Sequence, residues 1–81
     1  MKRYEIRLSL AENVKTFVGL ISRQPFDMDL RAGRHVVDAK SILGIFSLDL
    51  SRPIFLEFDE TSADPAQVEA LLKDIKPFLV E

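Results

Sequence analysis

Few side chains in this sequence of 81 residues could carry out chemistry. His35 is the single histidine and there is no cysteine, so a cysteine nucleophile, a thiolate metal site and a disulfide are excluded. The sequence contains no nucleophile and base pair at catalytic spacing, no glycine-rich phosphate loop and no zinc pattern. We therefore predict a protein that is not an enzyme and that needs no cofactor.

Three aspartates, Asp27, Asp29 and Asp38, have the oxygen ligands that a hard cation prefers. Their alternation along the predicted strands points them outward beside Arg31 and Arg34. A solvated charged face is the favoured interpretation, and no metal site is predicted.

Ser41 precedes a short segment whose apolar residues stand at positions 42, 43, 45, 46 and 48. This spacing predicts a short helix over residues 41–48 in which Ser41 is the N-cap. Because two helical turns cannot bury five apolar side chains, we expect Leu43 and Phe46 to be partly exposed. An exposed apolar patch with a polar rim can be a protein-binding site, and the alternative is packing at the edge of the core.

The elements that position these residues can be predicted from hydrophobic periodicity and helix-end signals. Ser9 and Glu12 have the spacing of a capping box at the start of the first helix, which Pro25 should end. Asp64 and Pro65 provide the N-cap and first residue of the last helix, and we expect Phe78 and Leu79 to pack back on the domain. The predicted strands are 2–8, 26–31, 35–39 and 54–58, and the predicted helices are 9–23, 41–48 and 64–76. This β-α-β-β-α-β-α order predicts an α+β fold, a four-stranded antiparallel sheet with helices on one face.

Length and charge indicate one soluble domain over residues 1–81. The net charge is −2. Positions 1–40 contain eight basic and five acidic residues, whereas positions 41–81 contain three basic and eight acidic residues. Neither half has a dense basic cluster, so direct nucleic-acid binding is not expected. No apolar run approaches a membrane span, and the N-terminus does not have the pattern of a signal peptide. We expect a cytoplasmic protein.

One stretch, VVDAKSILGIFSL at positions 36–48, resembles a segment of the histidine-containing phosphocarrier protein HPr that usually reads close to V-N-x-K-S-I-M-G-V-M-S-L. HPr also has the same element order over nearly the same length. The resemblance implies the HPr two-layer open-faced sandwich and a relation to the phosphoenolpyruvate-dependent sugar phosphotransferase system.

The same resemblance places Leu10, Ala11, Glu12 and Asn13 where HPr has its phosphorylated histidine followed by alanine, arginine and proline. Only the alanine is retained. Leucine has no imidazole to accept a phosphoryl group, and Glu12 would repel the phosphate. The resemblance therefore implies a divergent member that does not carry phosphate from enzyme I to sugar permease components.

Ser41 stands at the position that an HPr kinase/phosphorylase modifies in this family, with Lys40 beside it as a cation for the phosphate. The resemblance implies a regulatory protein of carbon catabolite control that binds this kinase and a transcriptional regulator. Its interface would consist of Lys15 and Gly19 on the first helix together with Ile42, Leu43 and Phe46. Two alternatives stay open: a phosphocarrier that uses His35 as a relocated acceptor, and an α+β binding or adaptor domain outside the phosphotransferase system. A plain helix cap also accounts for Ser41.

Overall fold

The computed structural model describes residues 1–80. It contains four strands, three α-helices and two 3₁₀ turns. The strands are β1 (Lys2–Ile6), β2 (Asp29–Ala32), β3 (His35–Asp38) and β4 (Ile54–Phe58). The helices are α1 (Ala11–Ile21), α2 (Ile42–Phe46) and α3 (Pro65–Asp74), and the 3₁₀ turns are Glu60–Ser62 and Lys76–Phe78.

The strands form one antiparallel sheet in the order β1-β4-β2-β3. Residues Tyr4, Leu56, Leu30 and Val37 pair across all four strands and lie on the face that the helices cover. Their sequence neighbours point to the opposite face, because side chains alternate along a strand. The predicted α+β sandwich with helices on one face of the sheet is therefore confirmed.

The core consists of the apolar stripes of the helices packed on this sheet face. Val14, Phe17, Val18 and Ile21 are the buried residues of α1, which fits their helical spacing. Each fully buried aliphatic or aromatic side chain contributes roughly 1.5–3 kcal/mol relative to an exposed one. Packing against the sheet therefore stabilises these short helices, which would be marginal in isolation.

A tight hairpin joins β2 to β3 through Gly33 and Arg34. Gly33 has a φ of 60°, and no other described residue has a positive φ. A glycine with positive φ at the first central position is the signature of a type II′ turn. This turn sets the antiparallel register in which Ala32 pairs with His35.

The C-terminal residues pack back on the domain, as the sequence predicts. The Arg7 N–H donates to the Phe78 carbonyl at 2.8 Å, and the Val80 N–H donates to the Glu5 carbonyl at 3.0 Å. The Phe78 ring lies edge-on to the buried Phe17 ring, with the centroids 5.8 Å apart. This tail therefore pairs with the C-terminal end of β1, on its outer side.

The predicted start of the first helix is wrong. Leu10, not Ser9, is the N-cap of α1, and no side chain makes a capping hydrogen bond there. Leu8 is fully buried, so the chain remains extended until it has packed this side chain, and it turns into the helix one residue later. Several other boundaries shift inward: β1 ends at Ile6, β2 begins at Asp29, and α3 ends at Asp74.

Candidate functional site

Ser41 is the N-cap of α2. Its backbone is extended, with φ −103° and ψ 111°, and its Oγ accepts a hydrogen bond from the Gly44 N–H at 3.0 Å. The Ile45 N–H donates to the Ser41 carbonyl at 3.0 Å, which closes the first turn. The side chain is partly exposed. The predicted cap is confirmed, and the hydroxyl lies at the surface of the domain.

Gly44 allows α2 to lie close to β3. A Cβ atom at this position would stand 3.2 Å from the Ser41 Oγ and 3.2 Å from the Val37 Cβ. These distances are shorter than ordinary van der Waals contacts, so a side chain here would push α2 away from the sheet. The glycine therefore fixes both the cap and the position of the helix.

Lys40 is partly buried, and its ammonium is already engaged. Its Nζ donates to the backbone carbonyl of Gln24 at 2.8 Å, which ties the segment after α1 to the residue before Ser41. The Lys40 N–H donates to the Asp38 Oδ1 at 2.9 Å. Sequence reasoning missed the Gln24 contact because the acceptor is a main-chain atom, and residue types carry no signal for it.

Three apolar residues of α2 are exposed. Their exposed fractions are 38% for Ile42, 85% for Leu43 and 42% for Phe46. Ile45, on the opposite side of the helix, is fully buried. The predicted exposure of Leu43 and Phe46 is thus confirmed. Because a single exposed leucine is ordinary but three exposed apolar residues on one five-residue helix are not, α2 presents a candidate docking patch.

The exposed side of α1 includes Lys15 and Gly19, the two residues predicted on this helix for the interface. Leu10 is 56% exposed at the N-terminal end of the helix, and Glu12 is exposed in its first turn. Helix α1 packs against α2 in the same layer. The predicted interface residues are therefore exposed on two helices in contact, and Leu10 adds a further exposed apolar residue.

His35 is exposed at the start of β3. It lines a shallow cavity of about 580 Å³ together with Arg34, Asp49 and Arg52. Arg52 Nε lies 3.4 Å from the Asp49 Oδ2. The Ser51 hydroxyl and its N–H both donate to the Asp49 carboxylate, and these bonds hold the pKa of Asp49 below its ordinary value of 3.8. His35 thus has cationic neighbours, one of which is paired with a carboxylate.

Away from these residues, Glu57 lies between Arg3 and Arg31, with its Oε2 at 3.3 Å and 3.1 Å from their Nε atoms. Within residues 1–80, no group of three or more His, Asp or Glu side chains is placed to hold a metal ion. No described helix is long and apolar enough to cross a membrane.

Comparison with solved structures decides the fold family. HPr-C-His from Thermoanaerobacter tengcongensis superposes with a TM-score of 0.68 and 27% identity, over 94% of this chain and 92% of that one. The chain has the HPr-like fold. The phosphocarrier protein HPr from Bacillus anthracis str. Ames gives a TM-score of 0.61 and 27% identity, over 91% of this chain and 93% of that one. No protein-family model and no curated protein matches the sequence.

These similarities cover the whole sandwich, so the resemblance between positions 36–48 and HPr extends to the entire fold. The similarity in fold does not favour an α+β domain that shares only the element order with HPr. Within the HPr-like fold, the segment that carries the resemblance forms β3 and α2 and the turn between them.

Proposed function

We propose that this chain is a regulatory, protein-binding relative of HPr, which acts in the cytoplasm in connection with the sugar phosphotransferase system and is not a histidine phosphocarrier. The proposal depends on one observation above all. Leu10 stands at the start of α1 within an HPr-like fold, at the position where the family resemblance places the phosphorylated histidine.

The residues around Leu10 offer no substitute for an imidazole. Phosphoryl carriage between proteins requires a nucleophilic nitrogen and cations that stabilise the phosphate. Leu10 has neither a nitrogen nor a hydroxyl, and the exposed carboxylate of Glu12 adds negative charge to the first turn. This end of α1 therefore offers no acceptor for a phosphoryl group.

Ser41 is the residue through which we propose that regulation occurs. An HPr kinase/phosphorylase would transfer the γ-phosphoryl group of ATP to the Ser41 Oγ, with release of ADP and of the hydroxyl proton. The phosphate would take the place of the hydroxyl as acceptor for the Gly44 N–H. Lys40 could pair with it if its ammonium left the Gln24 carbonyl.

The proposed docking surface combines Lys15 and Gly19 of α1 with Ile42, Leu43 and Phe46 of α2. Ser41 borders the apolar part of this surface, so its phosphorylation would add about −1.5 to −2 charges beside it. Such a change weakens binding to an apolar or acidic partner and strengthens binding to a partner with arginines. We propose that the kinase and a transcriptional regulator of carbon metabolism are the partners.

The test is to incubate the protein with an HPr kinase and ATP and to locate the phosphate by mass spectrometry. We expect one phosphate, on Ser41, and none on the Ser41→Ala variant. Ser47→Ala is the matched control, since Ser47 lies at the other end of the same helix and should leave modification unchanged. An unmodified wild-type protein would falsify the serine switch and favour a binding domain outside the phosphotransferase system.

A second candidate function is carriage of phosphate on His35, which the nearby Arg34 and Arg52 favour as cationic neighbours of a phosphate. It predicts an acid-labile phosphate on His35 in the presence of phosphoenolpyruvate and enzyme I. The His35→Gln variant should then remain unlabelled. If the wild-type protein also remains unlabelled, this candidate is excluded.

A further inference from the structure

The β2–β3 hairpin and the loop that joins α2 to β4 bring three basic side chains together. Arg34 and His35 belong to the hairpin, and Arg52 belongs to the loop. All three line the cavity of about 580 Å³, together with Asp49. A Cβ atom at Gly33 would stand 4.0 Å from the Arg52 Nη1, so this guanidinium lies against the hairpin turn. We call Arg34, His35 and Arg52 the basic cluster.

The loop holds Arg52 in position. The Arg52 N–H donates to the Asp49 carbonyl at 3.2 Å, and the Arg52 Nε lies 3.4 Å from the Asp49 Oδ2. The Asp49 Oδ1 accepts from the N–H and from the hydroxyl of Ser51. Asp49 is therefore engaged within its own loop. Because a guanidinium has five N–H donors, one carboxylate contact leaves Arg52 with donors for a ligand.

The positive charge of the cavity is not balanced by the residues that line it. Within residues 1–80, neither Arg34 nor His35 takes part in a salt bridge. Two arginines and one aspartate line the cavity, which gives +2 − 1 = +1 with His35 neutral, on a chain whose net charge is −2. An anion bound here would reduce the repulsion between the cations.

The donors of the basic cluster indicate which anion fits. A guanidinium binds phosphate oxygens through two parallel N–H groups, and an imidazole adds one further donor. A phosphoryl group has three terminal oxygens and up to two negative charges, whereas a carboxylate has two oxygens and one charge. The cavity volume is within the range of about 300–1,000 Å³ that small-molecule sites occupy.

We propose that the basic cluster binds the phosphoryl group of a small phosphate monoester, or inorganic phosphate, without a covalent bond. The phosphate would lie between the hairpin and the loop, with one oxygen toward each of the three basic side chains. The site requires neither modification of Ser41 nor transfer of phosphate to His35, so it is independent of both proposed functions.

The test is an NMR titration of the wild-type protein at neutral pH and constant ionic strength. Inorganic phosphate and glycerol 3-phosphate are added in separate experiments. We expect saturable shifts of the His35 ring protons and of the Arg34 and Arg52 amides, with half-saturation at about 1–10 mM. Tighter binding of glycerol 3-phosphate identifies an organic phosphate as the ligand, and equal or tighter binding of inorganic phosphate identifies the free ion. Acetate should bind about tenfold more weakly, since it offers one charge.

Single substitutions locate the site. Arg34→Gln and Arg52→Gln each remove charge-assisted hydrogen bonds and should weaken phosphate binding about tenfold. Arg23→Gln is the matched control, because Arg23 is an exposed arginine just after α1 and does not line the cavity. It removes the same charge and should leave binding unchanged within about twofold. Circular dichroism checks that each variant is folded.

Three results would overturn the proposal. One is the absence of saturable shifts up to about 50 mM phosphate, well above the expected half-saturation. Another is acetate binding as tight as phosphate binding, which would show that the cavity does not select a phosphoryl group. The third is an equal loss of binding in Arg23→Gln and in the two cluster variants, since that would reflect net charge and not a site.

Discussion

Replacement of Ser41 by alanine separates its structural contribution from its regulatory one. The substitution removes one hydrogen bond, from the Gly44 N–H to the Oγ, and leaves that N–H without its cap. Loss of a serine N-cap costs about 1 kcal/mol of the free energy of unfolding, with a range of roughly 0.5–2 kcal/mol. For a domain of this size, about 1 kcal/mol lowers Tm by about 4–8 °C. We expect this decrease in Ser41→Ala.

Two comparisons test the cause of that decrease. Ser41→Asp keeps a good capping acceptor, so its unfolding free energy should stay within about 0.5 kcal/mol of the wild-type value. Ser47→Ala removes an exposed hydroxyl that donates to the Gly44 carbonyl at the far end of α2, and it should cost less than about 0.5 kcal/mol. Urea unfolding followed by circular dichroism measures all three. If Ser41→Asp is as unstable as Ser41→Ala, or if Ser47→Ala costs as much, capping is not the cause.

Three further predictions concern the rest of the fold. Ile45→Ala removes the fully buried anchor of α2 and should cost about 2–5 kcal/mol in urea unfolding. Both carboxylate oxygens of Glu57 lie 3.1 Å from the Arg31 Nε, and Glu57→Gln weakens this contact. The substitution should lower the free energy of unfolding by about 1 kcal/mol, measured by urea unfolding. The pKa values of Asp49 and Asp59 are held below 3.8 by hydrogen bonds from Ser51 and Thr61. Their contribution to stability is therefore fully present above the ordinary pKa of 3.8 and is lost as the pH falls through the lower pKa of the folded state. Carboxyl NMR titration should give both midpoints below 3.8.

Most of the architecture could be predicted because apolar spacing and helix-end residues are local signals. The cap at Ser41 and the Asp64–Pro65 helix start are confirmed, and both depend on a side chain that bonds within its own turn. The prediction of a capping box at Ser9 and Glu12 is wrong, although the spacing of these residues suits a helix start as well as that at Asp64 does. Burial of Leu8 extends the chain past Ser9, and this long-range packing demand overrides a local capping preference.

Site features that depend on tertiary contacts could not be predicted in the same way. Lys40 donates to the carbonyl of Gln24, 16 residues earlier in the chain, and no pattern of residue types indicates such a contact. The pairing of the tail with the end of β1 could not be predicted either, because the two segments lie far apart in the sequence. The exposure of Leu43 and Phe46 could be predicted, since a two-turn helix has too little buried surface for five apolar side chains.

The segment that resembles HPr contains two kinds of residue, and they support different conclusions. Ala39, Ile45 and Leu48 are buried, and Gly44 is needed for the close contact with Val37, so the fold alone accounts for them.

The cap accounts for Ser41 in the same way, whether or not a kinase modifies it. Leu43, by contrast, is 85% exposed and is not part of the buried core. If α2 only packs on β3, Leu43→Ser should change nothing beyond a small effect on stability. If α2 is a docking surface, the same substitution should abolish partner binding at unchanged Tm. A binding measurement on Leu43→Ser therefore distinguishes an interaction surface from a structural helix. The same measurement on a Ser41 variant does not, because Ser41 also caps the helix.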